Sequence, residues 1–292
     1  MSGSMSGSHW RKVKGVDRKS LSEARLQAHH AVQWLARAAR AYVTPAPDDR
    51  HTNLGWNDAI AGLTTHALPQ GAVLGLIVSD LTLALWDGPA VRAMAGAQSI
   101  SLEGRRDADI RAWLGRLVGA SGFDPDALDA PSPYQIPQHP IGRGAPYGPA
   151  GLATALAELA AWYANADQAL GKTRQNIVAR GIDAPPVRCW PHHFDLDSLI
   201  PLGSVEAART VGIGFEPGDD YYDQPYFYVS CYPAPDVAAL PSLPPIGHWH
   251  SHHFTAAVAT ADRILEAGDQ QAETEAFLGA ATDILIARRG SP

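Results

Sequence analysis

Tyr226-Phe227-Tyr228-Val229-Ser230-Cys231-Tyr232 is the stretch whose reading decides the fold class. Side chains two apart share a face of an extended chain. Tyr226, Tyr228, Ser230 and Tyr232 therefore make one face with polar tips, and Phe227, Val229 and Cys231 make an apolar one. A strand with two unlike faces needs neighbours on both edges and a hydrophobic layer on one side. Similar runs surround it. Val187 to Leu196 and Thr210 to Phe215 read as strands, the second followed by the turn Glu216-Pro217-Gly218-Asp219-Asp220. Ala59 to His66 and Gly71 to Trp86 read as extended and are parted by Pro69-Gln70-Gly71. Leu81, Leu83 and Leu85 alternate with Thr82 and Ala84, and Ser99 to Leu102 adds a short strand. Many connections are too short for helical crossovers, so the pairing is expected to be mostly antiparallel.

Helices are expected between and after these runs. Ser20 and Glu23 have capping-box spacing, and Ala28, Val32, Leu35, Ala39 and Tyr42 then form one stripe that ends before Pro45. Asp109 to Val118 is amphipathic, with Ile110, Trp113, Leu114 and Leu117. Pro149 opens a helix whose stripe is Leu152, Leu156, Leu159 and Tyr163, with its end placed around Asn165 to Gly171. Asp269 begins a closing helix bearing Phe277, Leu278, Ala281 and Leu285. The expected class is α+β, with two related halves, each a mostly antiparallel sheet with packing helices. Their shared order of strands then helix suggests a pseudo-twofold arrangement. The expected divisions are a flexible N-terminal lead over 1–19, a first half over 20–122, a Pro/Gly-rich connection over 123–151, and a second half with the histidine cluster over 152–292.

The chain has 292 residues, 46% hydrophobic and 18% charged, as in soluble globular proteins. A net charge of −7 argues against nucleic acid or an anionic membrane as partner, since those call for a basic face. The basic run Arg11, Lys12, Lys14, Arg18 and Lys19 reads as a solvated arm that frays or folds back on the surface. Two cysteines, Cys189 and Cys231, are too few for a disulfide framework and read as small hydrophobes within strands. No apolar run approaches the roughly 20 residues of a membrane span. A cytoplasmic location is expected.

Of the 12 histidines, six sit in Trp190-Pro191-His192-His193-Phe194-Asp195 and Gly247 to Thr255. If both segments are extended, His193 and Asp195 share a face, as do His248, His250 and His252. Imidazole and carboxylate suit zinc, iron or manganese, and an ion held by His193, Asp195, His248 and His250 would keep open positions for water or substrate. His193 and Asp195 would also be the acid–base pair. Tyr228 and Asp219, with His51 and Asn53 from the polar segment His51 to Asp58, are the expected ligand-binding residues. In the competing reading, the same histidines and aspartate form a hydrogen-bonded seam that specifies the fold without chemistry. The tyrosine face packs on a helix in that reading, and Asp219 and Asp220 serve the turn. Gly212-Ile213-Gly214 lacks a third glycine and a following helix, so no nucleotide cofactor is expected. The expected partner is a small-molecule ligand.

The motifs His51-Thr52-Asn53-Leu54-Gly55-Trp56, Trp190-Pro191-His192-His193-Phe194-Asp195, Gly214-Phe215-Glu216-Pro217-Gly218-Asp219 and His248-Trp249-His250 resemble those of an uncharacterised bacterial protein family of about this length. The second half is similar to a broader domain of unknown function that carries a His-x-Phe-Asp-Leu element. The resemblance implies a shared fold and brings no activity with it. Its pattern does not require histidine after His250, so His252 and His253 are not carried over. The two readings that remain are a small-molecule, metal-dependent enzyme of hydrolytic type and a non-catalytic ligand-binding or structural protein.

Overall fold

The computed structural model describes residues 10–88, 96–203 and 209–288. The first half builds a five-stranded antiparallel meander from β1 (Gly55–Asn57), β2 (Gly62–Thr64), β3 (Ala72–Ile77), β4 (Thr82–Asp87) and β5 (Gln98–Ser101), paired in sequence order. The second half builds a six-stranded antiparallel sheet from β6 (Arg188–Trp190), β7 (Asp195–Pro201), β8 (Thr210–Glu216), β9 (Tyr226–Tyr232), β10 (His248–His250) and β11 (Ala256–Thr260). Its order is β10-β11-β9-β8-β7-β6. The class is α+β with two antiparallel sheets, as the alternation predicts.

The helices are α1 (Arg18–Tyr42), α2 (Asp107–Ala120), α3 (Ala153–Ala179), α4 (Ala261–Glu266) and α5 (Gln270–Ala287). α1 packs on β3 and α3, α3 on β7 and β8, and α5 on β8, β9 and β11. The period-two pattern decides which sheet face they cover. Leu196, Phe215, Phe227 and Ala259 lie in register on neighbouring strands, all fully buried, with Ile213, Val229 and Ala257 one row along. Leu63, Leu76 and Leu83 form the matching row of the meander. One apolar core contains all of these rows and the buried faces of α1, α3 and α5. The outer face of the meander carries a small cluster of Ile60, Val73, Ala84 and Trp86.

Several boundaries differ from the expectations for identifiable reasons. α1 starts earlier than Ser20, because the Asp17 carboxylate accepts from both the backbone N–H and the hydroxyl of Ser20. Glu23 bonds Gln27 and His139 instead of closing a capping box. α3 runs well past Gly171 to Ala179, since Leu170, Thr173 and Ile177 continue its buried stripe while a Cβ at Gly171 would meet open space. The lead is fastened from Trp10 onward, with residues 1–9 lying outside the described residues. Val13 is buried, with its backbone bonded in both directions to the Gln270 side chain, and Asn165 does the same for Arg11. The stretch 123–151 is a series of short 3-10 turns pinned by buried Leu128, Ile141 and Tyr147.

The two sheets meet edge to edge. Leu54, just before β1, and Cys189 in β6 exchange both backbone hydrogen bonds, at 2.9 and 2.8 Å. Both side chains are fully buried, so this bridge is anchored in the core. It sets the first half's polar segment beside the β6–β7 hairpin.

Candidate functional site

Val187 to Leu196 is not one strand. Trp190 pairs with Asp195, and the four residues between them form the turn of the β6–β7 hairpin. Pro191 cannot donate to a ladder. The N–H groups of His193 and Phe194 turn back to the Trp190 carbonyl, and Phe194 takes a left-handed φ of 69°. A bulky residue holds that conformation only where its surroundings over-determine it. Here they do. The Pro191 carbonyl accepts from His29 Nε2 at 2.9 Å and Gln33 Nε2 at 2.7 Å on α1, and the Phe194 carbonyl accepts from the Tyr163 hydroxyl on α3. The buried Phe194 ring stacks on His29 at 5.1 Å and meets Tyr163 at 5.2 Å. Burial pushes the His29 imidazole down to about 3, so it is the neutral ring that holds the turn.

The clamped hairpin forms one wall of a cleft of ≈ 700 Å³ at the seam between the sheets. Trp190, His192, His193, Asp195, Asp197 and Arg188 line it from the hairpin, and Asp48, Arg50, Asn53 and His66 from the first half. Asn53 is fixed by His66 Nε2 at 2.9 Å from its Oδ1. Of the sequence-predicted site residues, the structure brings His193, Asp195 and Asn53 together here. His51 is buried behind the wall, its Nδ1 accepting from the Ala46 N–H, and does not line the cleft.

Asp195 and Asp197 lie on the face of the second sheet turned away from the helices, opposite in parity to Leu196. Tyr228 reaches Asp195 from β9, donating its hydroxyl to Oδ2 at 2.8 Å. It can do so because Gly214 of β8 lies between Tyr228 and Asp197 in register and offers no side chain; a Cβ there would overlap the Tyr228 ring. Asp195 Oδ1 is buried without a hydrogen-bond partner among the described residues. Asp197 Oδ1 accepts from Trp190 Nε1 at 2.6 Å. Burial pushes Asp195 up to about 6 against the Tyr228 hydrogen bond. It pushes Asp197 up to about 7, helped by the Asp195 charge and opposed by the Trp190 bond and by His193. Glu216, also buried on this face, is raised well above the carboxylate range by burial and then by Asp195 and Asp219. Asp195 and Asp197 thus exchange their protons close to neutral pH, and Glu216 favours its protonated form.

Arg188 supplies the cleft's half-buried cation. Among the described residues its guanidinium makes one weak hydrogen bond, 3.5 Å to the Val187 carbonyl, and burial lowers its pKa against the opposing pull of Asp167 on α3. Asp167 is itself raised to about 6 by burial. Neither Asp197 nor Arg188 was among the expected site residues. The sequence signal for Asp197 was its spacing, two past Asp195, in a strand read as ending at Leu196.

The four-ligand metal site does not form. β8, β9 and β11 separate β7 from β10. At about 4.8 Å per strand that is roughly 19 Å, far beyond shared coordination. Among the described residues no group of three or more His, Cys, Asp and Glu is arranged to hold a metal ion. His252 and His253 leave the strand altogether, in a bend where His253 takes a φ of 68°. His248 and His250 do share a face of β10, both facing the Tyr222 hydroxyl. Asp219 serves its turn, accepting from the N–H groups of Tyr221 and Tyr222 and from the Tyr226 hydroxyl at 2.8 Å. The tyrosine face of β9 does not pack on a helix, because Phe227 and Val229 take that side. No family model, no curated protein and no solved structure matches this chain.

Proposed function

We propose that the cleft at the sheet seam binds a small organic anion and performs acid–base chemistry of hydrolytic type on it. The observation that supports this reading is the pair Asp195 and Asp197. They are two residues apart on one strand, both line the cleft, and they are raised to about 6 and about 7. A pair whose protons leave in that range holds one acid and one base near pH 7, which is what proton transfer to a leaving group and from water requires. Asp197, the more weakly ionised, acts as the acid. Asp195, with its unpartnered Oδ1, acts as the base. Arg188 anchors the anion, its donors being almost unused among the described residues. Trp190 and Tyr228 hold the carboxylates in place.

The test is a turnover screen of nitrophenyl esters, phosphates and glycosides with the full chain, Asp197→Asn and Arg188→Met. The expected result is one substrate class turned over by the parent, with kcat lowered about a hundredfold or more in Asp197→Asn and mainly KM raised in Arg188→Met. Absence of turnover with every class, together with retained binding of a carboxylate or phosphate probe, would favour a non-catalytic binding protein. That second reading is supported by the pairs Tyr228–Asp195 and Tyr226–Asp219, which give this sheet face the form of a hydrogen-bonded seam.

A further inference from the structure

At the other edge of the second sheet, two imidazole nitrogens converge on one phenol oxygen. The Tyr222 hydroxyl lies 2.9 Å from His248 Nε2 and 2.8 Å from His250 Nδ1. His248 and His250 occupy alternate positions of β10, so they project to one side, and Tyr222 arrives from the turn after β8. The His250 tautomer follows from its second nitrogen. Nε2 lies 2.7 Å from the His252 carbonyl, which only accepts, so Nε2 carries the proton and Nδ1 presents a lone pair. A carbonyl holding the far N–H of an imidazole is the outer-shell arrangement that orients metal-binding histidines. The hydroxyl has one proton, which goes to His250 Nδ1. His248 Nε2–H then donates to the phenol oxygen.

We propose that His248, His250 and Tyr222 form a binding site for a divalent transition metal of the copper type. Donors at 2.0–2.1 Å from an ion and at right angles to one another are roughly 2.8–3.0 Å apart, which is the separation of the phenol oxygen from each imidazole nitrogen. Two imidazoles and one oxygen in that arrangement suit tetragonal copper(II). On binding, the Tyr222 O–H bond breaks, its proton passes to solvent, and the phenolate oxygen bonds the ion. The His248 proton moves from Nε2 to Nδ1, with no net change on that ring. The fourth position opens to solvent on the side of exposed His248. Bound metal would tie the short edge strand β10 to the turn that carries Tyr222. This site is separate from the cleft and does not rest on the reading given for it.

The experiment is a copper(II) titration of the full chain in a non-chelating buffer, followed by visible absorption and electron paramagnetic resonance. It is repeated with Tyr222→Phe, His248→Ala and His250→Ala, with far-ultraviolet circular dichroism as the fold check. The expected result for the parent is stoichiometric binding with a phenolate-to-copper charge-transfer band. Tyr222→Phe loses the band and binds at least about tenfold more weakly, and each histidine variant loses both. Binding without the band, a band that persists in Tyr222→Phe, or copper affinity unchanged in His248→Ala would each overturn the proposal. If His250→Ala does not fold, Tyr222→Phe and His248→Ala carry the same test, since neither removes the His250–His252 contact.

Discussion

Tyr228 donates its hydroxyl to Asp195 from two strands away, 2.8 Å across the open backbone of Gly214. Among the described residues Tyr228 is the only side-chain partner of Asp195, whose other oxygen is buried and unpaired. Changing Tyr228 to Phe leaves a buried carboxyl group with no donor. We expect a loss of about 1–3 kcal/mol at pH 8, where Asp195 is ionised, and a smaller loss at pH 5, where it is protonated. Urea unfolding at the two pH values measures both; equal losses would mean that the bond does not depend on the charge.

Gly214→Ala tests the same relationship from the backbone. The new methyl group occupies the space of the Tyr228 ring, so the ring must leave its place. The expected cost is about 1–3 kcal/mol. Because the substitution already breaks the Tyr228–Asp195 bond, the double variant with Tyr228→Phe should be less destabilised than the sum of the single variants. Additive losses in the cycle would refute this coupling.

The raised carboxylates set a pH dependence whose sign is the reverse of the usual one. Asp195 goes from 3.8 to about 6 on folding and Asp197 to about 7, so the folded chain binds more protons than the unfolded chain between those values. Their stabilising contribution is fully present below about pH 4 and is lost as pH rises through 6 and 7. For Asp195 the difference is on the order of 3 kcal/mol. Unfolding free energy measured from pH 4 to 8 should therefore fall less steeply in Asp195→Asn than in the parent, and an identical slope would contradict the assignment.

Trp190 reports on Asp197 directly, through the 2.6 Å bond from its indole N–H. The difference in tryptophan emission between the parent and Trp190→Phe should titrate with a midpoint near pH 7. Asp197→Asn should abolish that step. A step that survives in Asp197→Asn would belong to another group.

His29 fixes the turn that carries His192 and His193. His29→Ala removes a buried hydrogen bond to Pro191 and the stacking surface of Phe194, at an expected cost of about 2–4 kcal/mol. Since its pKa is lowered from 6.5 to about 3, its contribution is present above pH 6.5 and lost as pH falls toward 3. Hydrogen exchange at the His193 and Phe194 amides should speed up in the variant while that of β8 changes little; uniform acceleration would mean global destabilisation instead.

The alternation of Tyr226 to Tyr232 and the leucine rows of β3 and β4 were legible in the sequence, because a strand's two faces are written at a period of two and the core follows from the apolar one. That settled the α+β class and the antiparallel pairing, but not the side on which the helices pack, since the tyrosine face read as packing on a helix turned out to be the opposite one. The sequence by itself also singled out Asn53, His193 and Asp195, through polar and titratable types next to aromatic anchors, and all three line the cleft. It did not show where the strand holding His193 folds back. A left-handed φ at Phe194 is enforced by His29, Gln33 and Tyr163, which lie 31 or more positions away. Nor did it show that His248 and His250 stand three intervening strands from β7, since strand order depends on long-range pairing and not on local pattern. The cleft itself was decided by tertiary structure alone. It exists because Leu54 and Cys189, 135 residues apart by their numbers, join the edges of two sheets and bring Arg188 and the Asp195–Asp197 pair to face Asn53 and His66.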